Sequence, residues 1–309
     1  MGNKLTTDKS YEKIENIIKS EKKGLLLVLI CLSMVFWGMS WSSAKVLGRY
    51  GEALTVAFVR FWVVVVVLFP VVKLFKLSYR IERKGWKYLL GAALFLGLYT
   101  TAFFRGLQLG NAGAAGVLVT TLNPLFAFVI GVVISKVFPS KMAVLGLFLG
   151  LLGGAFLLKL WVNFDDVFQT GNILFIAAAF LWAVLSKITS FSKAYAHPIT
   201  FSFWIHVVVP IGMFPFINLD DLVHLFEVAD SLFYWNLAYF GIINSSFATV
   251  TYLVATTVIG AERSSTFIFL VPISAILTSW IALGEVIELH TIVGMVLGVS
   301  AVMIINKYK

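Results

Sequence analysis

A chain of 309 residues that is 60% hydrophobic and only 13% charged cannot hide its apolar surface in one aqueous core, so lipid must solvate most of it. The formal net charge of +9 does not imply a nucleic-acid partner, because the basic residues are segregated to alternate loops, a pattern of membrane topology. A single cysteine, Cys31, excludes an intrachain disulfide and a cysteine-based metal centre.

Residues 1–24 read as a polar cytoplasmic tail. Within it Tyr11, Ile14, Ile17 and Ile18 recur at helical spacing, which fits either a short helix on the inner membrane surface or a disordered tail. The tail has no small-residue cleavage site, and the apolar run behind it is too long for a signal-peptide core, so the first segment is expected to remain as an anchor. Ten apolar segments follow, at roughly 25–44, 53–74, 86–107, 113–135, 140–161, 171–190, 198–217, 232–255, 262–283 and 290–306. Each approaches the ~20 residues that cross ~30 Å of hydrocarbon at ~1.5 Å per residue.

The first segment carries Trp37 and Trp41, with Lys45 at its outer end. Lys45 and Arg105, which ends the third segment on the same side, suit either a pore mouth or interfacial anchoring. Arg60 lies about seven residues, hence ~10 Å, inside the outer end of the second segment. An ionisable group at that depth is costly and is a functional candidate by default; a substrate carboxylate competes as its partner with snorkelling or a neighbouring helix. Tyr99, Phe103 and Phe104 lie deep in the third segment. In the fourth, Pro124 removes a helical hydrogen bond beside Asn123, Thr120 and Thr121, and a kink is expected there. Gly146, Gly150 and Gly154 form overlapping GxxxG steps in the fifth, where helix backbones can approach closely.

Residues 163–170, with Asp165 and Asp166, read as a periplasmic linker between residues 25–162 and residues 171–306; residues 307–309 form a cytoplasmic end. Trp182 lies deep in the sixth segment, with Lys187 near its inner end. His206 is mid-membrane in the seventh, as a proton relay or a hydrogen-bonded core histidine. Tyr252 lies deep in the eighth. Glu262 and Arg263 open the ninth, where a carboxylate complements the helix N-terminus, and a kink is expected at Pro272. Glu285 and Glu288 cap that segment outside, and Gly294 with Gly298 forms another GxxxG step in the tenth. The deep rings suit either a cavity for an amphipathic solute or plain packing.

Two halves of the chain repeat one design. Subtracting 148 from Pro272, Gly294 and Gly298 gives Pro124, Gly146 and Gly150, and subtracting 145 from Trp182 gives Trp37. Five segments per half is an odd number, so the second copy enters the membrane from the opposite face, giving an inverted repeat. Lys and Arg gather in the tail, the 73–87 loop and the other loops of that side, while Asp220, Asp221, Glu227 and Asp230 lie opposite; both termini are thereby placed in the cytoplasm. HExxH, GxSxG and phosphate-loop motifs are missing, and His197, His206, His224 and His290 have no metal-ligand spacing, so neither catalysis nor a cofactor is expected.

Phe36-Trp37-Gly38-Met39-Ser40-Trp41 with Lys45, then Phe58-Val59-Arg60-Phe61, and the stretch from Gly241 through Pro272 to Leu283-Gly284-Glu285 with Gly294 and Gly298, resemble the drug/metabolite transporter superfamily, in particular its EamA-type members. The likeness runs from about residue 25 to 306; it departs where Ser135-Lys136-Val137 matches Leu283-Gly284-Glu285 without the glutamate. The resemblance implies an all-α membrane protein of ten helices in two inverted five-helix repeats, a central cavity open alternately to each side, and often export of amino acids or related metabolites. The expectation is therefore an inner-membrane secondary transporter of a small metabolite. Its candidate substrate pathway is Trp37, Ser40, Trp41, Lys45, Arg60, Tyr99, Phe103, Asn123, Trp182, His206 and Tyr252, with kinks at Pro124 and Pro272. A proton or counter-solute is the candidate coupling partner, lipid surrounds the chain, and monomer and homodimer both stay open. Carriage of nucleotide sugars, phosphorylated solutes or drugs, and a channel or scramblase, are the alternatives.

Overall fold

The computed structural model describes residues 22–109, 112–162, 170–283 and 288–307. The tail motif Tyr11–Ile18, the linker aspartates, Gly110 and Glu285 lie outside those residues. Among the described residues every regular element is helical. This is the outcome that lipid imposes, since a helix satisfies its own backbone donors and acceptors where water cannot.

Among the described residues seven helices are long and apolar enough to cross a bilayer. They are α1 (Lys22–Leu47), α2 (Ala53–Leu74), α3 (Trp86–Leu109), α4 (Ala112–Ser135), α6 (Thr170–Ser192), α7 (Pro198–Met213, extended to Phe216 by a 3₁₀ turn) and α9 (Ser231–Val258). The fifth segment is the shorter α5 (Lys141–Leu157) and the tenth is α12 (Leu289–Lys307). The ninth is broken into α10 (Ala261–Thr266), a 3₁₀ turn (Phe267–Leu270) and α11 (Val271–Leu283). A further helix that the apolar pattern does not announce, α8 (Leu219–Val228), joins α7 to α9; Leu219, Val223 and Phe226 are exposed on it. All ten expected segments are thus helical, two of them short and one interrupted.

Local chemistry sets the ends. Ser140 Oγ accepts from Ala143 N at 3.2 Å to start α5, and Asp230 Oδ1 accepts from Phe233 N at 2.9 Å to start α9. At the end of α2, Lys76 N donates to Lys73 O and Leu77 N to Val72 O, closing a Schellman motif with Lys76 at φ +52°. Loop connectivity then sorts charge: Lys73, Lys76, Arg83, Lys87, Lys136, Lys141 and Lys193 lie at one end of the bundle, while Asp220, Asp221, Glu227 and Asp230 lie at the other. These are called the basic and acidic ends below.

The helices pack in a self-matching pattern. The α5–α12 and α2–α7 contacts each join an element to its own counterpart in the other half. The extensive α3–α6 contact is mirrored by α9 against α1, and α4 against α6 is mirrored by α11 against α1. A pseudo-twofold axis between two copies of one five-helix unit produces this set of pairs. Glycine makes the closest approach. A Cβ on Gly153 would lie 2.9 Å from the Gly294 carbonyl oxygen, and one on Gly294 would lie 2.9 Å from that of Gly153, so the α5 and α12 backbones touch directly. Gly38 of α1 similarly leaves no room for a Cβ against Ser274 of α11.

Candidate functional site

The helices of both halves converge on a cavity of about 60 Å³, room for roughly four to six waters at ~10–15 Å³ each. Trp37, Ser40 and Trp41 reach it from α1, Arg60 and Phe61 from α2, and Tyr99, Thr100, Phe103 and Phe104 from α3. Thr120 and Asn123 come from α4, Trp182 from α6 and His206 from α7. Phe240, Asn244, Ser245 and Thr249 of α9 close the ring, with Ile268 and Val271 of the broken ninth segment.

Arg60 dominates the electrostatics. Its side chain is 8% exposed, and no Asp or Glu among the described residues pairs with it. Nη1 donates to Ser245 Oγ at 3.3 Å and Nη2 to Thr100 Oγ1 at 3.4 Å, both long hydrogen bonds to neutral hydroxyls, and Nε has no acceptor. Three rings share the rest of its charge: the guanidinium carbon lies 4.7 Å from the centroid of Phe61, 4.9 Å from Phe240 and 5.7 Å from Phe104. A cation removed from water and held only by hydroxyls and π faces is incompletely compensated, so an anion entering the cavity meets a field with no competing carboxylate.

The remaining polar atoms are arranged as unfilled positions. Asn123 is fully buried, and its Nδ2 donates to Ala179 O at 3.0 Å, which fixes Oδ1 as an acceptor without a donor. Asn244 Oδ1 likewise lacks a donor, and the indole Nε1 of Trp41 lacks an acceptor. His206 Nδ1 lies 2.8 Å from Ser202 O; a carbonyl only accepts, so Nδ1 carries the proton and the neutral ring keeps Nε2 as an acceptor.

Beside these groups stands a wall of rings. Trp37 and Trp182, the pair related by the 145-residue offset, meet edge to face with centroids 5.2 Å apart. Trp37 continues to Tyr252 at 5.0 Å and Trp182 to Tyr99 at 4.7 Å, so each tryptophan engages a tyrosine of matched helices, α9 and α3. Tyr252 itself stands behind the wall, and its hydroxyl is 3.0 Å from Ser186 Oγ.

Nine of the eleven candidate pathway residues therefore share the cavity: Trp37, Ser40, Trp41, Arg60, Tyr99, Phe103, Asn123, Trp182 and His206. Lys45 is exposed at the end of α1 and does not line it. Pro124 sits behind Asn123 in a helix that runs on through it, whereas Pro272 follows directly on the 3₁₀ turn, so the matched prolines have unlike surroundings. The α9 contribution went unseen in the sequence. There the helix widens to π geometry over Tyr239–Thr249, with Ser246 and Thr249 hydroxyls bonded to carbonyls five residues back. Its signal is Asn244-Ser245-Ser246, three polar residues within an apolar run.

Comparison with known proteins gives this geometry its context. The EamA-like transporter family matches twice, over residues 23–159 and 169–307, one match to each half. An uncharacterized transporter of Bacillus subtilis, YoaV, is 25% identical over 275 residues, covering 88% of this chain and 93% of its own. An uncharacterized transporter of Archaeoglobus fulgidus is 23% identical over 287 residues, covering 91% and 99% respectively. A crystal structure at 15% identity shares the fold with a TM-score of 0.71, over 91% of this chain and 97% of that one. The duplicated match spans nearly the whole molecule: this chain belongs to the EamA-like transporter family and is a multi-pass membrane protein.

Proposed function

We propose that this protein is an inner-membrane secondary transporter that exports a small amphipathic metabolite by alternating access, and that the solute is an amino acid or a close relative. The basic end faces the cytoplasm with both termini, following the positive-inside rule. The observation that carries the reading is Arg60: a buried guanidinium without a carboxylate, at a cavity shared by both repeats. A solute carboxylate takes the place opposite it as a charge-assisted, bidentate partner. Asn123 Oδ1 and Asn244 Oδ1 supply acceptors for an ammonium or N–H donor, and the Trp37–Trp182 wall receives an apolar body. No nucleotide-binding motif accompanies the site, so a solute or proton gradient drives the cycle. About 60 Å³ is well below the ~300 Å³ at which ligand pockets begin, so the solute enters as the helices part.

Phenylalanine, 3-phenylpropanoate and phenethylamine separate these contributions when each is tested for thermal stabilisation of the purified protein. Phenylalanine is expected to stabilise most, Arg60→Ala to weaken both carboxylates by about 10- to 100-fold, and Asn123→Leu to erase the advantage of phenylalanine over 3-phenylpropanoate. Equal stabilisation of wild type and Arg60→Ala by 3-phenylpropanoate would remove the anion site.

A further inference from the structure

One ion pair stands apart from the cavity. Lys187 Nζ of α6 lies 2.5 Å from Glu262 Oε1 of α10, and the two side chains are only 15% and 19% exposed. The pair is at the basic end, immediately past the ring wall: Lys187 follows Ser186, whose hydroxyl holds Tyr252, and Tyr252 packs on both Trp37 and Trp182. Two glycines shape the place it occupies. Gly260, at φ +86° and ψ 157°, turns the chain from α9 into α10 in a conformation that residues with a Cβ rarely adopt. Gly131 of α4 then admits the carboxylate, because a Cβ there would lie 2.6 Å from Glu262 Oε1. Glu262 is thereby wedged between α4 of the first repeat and α6 of the second.

The repeat shows that this closure has no counterpart. The 145-residue offset of the first and sixth segments takes Lys187 to Ser42, and the 148-residue offset of the fourth and ninth takes Glu262 to Ala114. Neither matched position is charged. An inverted repeat exchanges the two faces of the membrane, so the charge pair belongs to one face and has no charged match in sequence for the other.

We infer that Lys187–Glu262 is a one-sided gate: it holds the basic face closed and biases the resting molecule toward opening at the acidic face. The inference rests on the alternating-access reading above. Opening the basic face separates α6 from α10 and must first break the pair; neutralising one partner leaves the other charge enclosed and removes the attraction that favours closure.

The test is accessibility. In a Cys31→Ser background, which removes the sole native thiol, Ser40→Cys places a reporter in the cavity wall. A membrane-impermeant charged maleimide is added to right-side-out and inside-out vesicles, and the labelling rate is read from each face. Lys187→Met and Glu262→Gln are each expected to raise labelling from the basic face at least tenfold, and the exchanged pair Lys187→Glu with Glu262→Lys to return it toward the wild-type rate. Unchanged labelling in both single variants overturns the gate, as does an exchanged pair that stays as open as either. Glu262→Gln keeps the shape of the side chain, so its result stands even where another variant fails to fold. Labelling requires no transported solute. A failed gate with working transport contradicts this inference alone, whereas a wild type that transports nothing contradicts the transporter reading without touching the labelling result.

Discussion

At the scale of single residues, burial decides what each charge can do. Arg60 was conspicuous in the sequence because an arginine deep in an apolar run has few inexpensive explanations; its company beyond the adjacent Phe61 was not, because Thr100, Ser245, Phe104 and Phe240 come from helices far apart in the chain. Asn244 and Ser245 were legible only as a polar interruption, since nothing in the residue pattern signals a π-helical widening. His197 gives a pH-dependent prediction outside the membrane spans. Its Nδ1 accepts from Ile199 N at 3.3 Å as the N-cap of α7, and burial pushes its pKa down to about 4 from 6.5. The neutral ring is therefore the form the fold holds: the stability is fully present above pH 6.5 and is lost as pH falls toward 4. The thermal midpoint is expected to fall over that window, and His197→Asn, which caps without titrating, to flatten the fall. An identical slope in the variant contradicts the assignment.

At the scale of elements, apolar length foretold helix in all ten segments, seven of which are, among the described residues, long and apolar enough to span, because lipid leaves helix as the satisfied conformation for such runs. Helix interruptions were harder to read. Proline marks both repeats at matched positions, yet α4 continues through Pro124 while the ninth segment tightens to a 3₁₀ turn before Val271 and Pro272. Surface helix α8 was missed because ten residues with three acids in them resemble a polar loop. Glycine spacing translated into contact only in part: Gly146 of α5 meets Ile305 and the Ala301 carbonyl of α12, while the backbone approach to Gly294 comes from Gly153, outside the GxxxG series. Gly153→Leu is expected to force these helices apart and to cost at least about 1–3 kcal/mol of stability, read as a lowered thermal midpoint in detergent. Gly212→Leu, where a side chain meets nothing within 4 Å, serves as the comparison and is expected to change little.

At the scale of the whole molecule, duplication supplies the architecture and its imperfections supply the asymmetry. Matched helices pair across a pseudo-twofold axis, and the matched tryptophans Trp37 and Trp182 meet where the halves converge. Around that point the copies diverge: α2 carries Arg60 whereas its counterpart α7 carries no arginine, and the Lys187–Glu262 pair is matched in sequence by the uncharged Ser42 and Ala114. Two similar units thus line one cavity in which, among the described residues, the arginine comes from the first half alone. The central claim is that a carboxylate-bearing solute crosses through this cavity on Arg60. Counterflow tests it most directly: proteoliposomes of wild type and Arg60→Ala are preloaded with pooled amino acids, and uptake of labelled amino acids is followed. Saturable wild-type uptake driven by an internal solute and reduced at least tenfold in a folded Arg60→Ala protein is the predicted result. Uptake that is equal in the two proteins, or that never saturates, would contradict it.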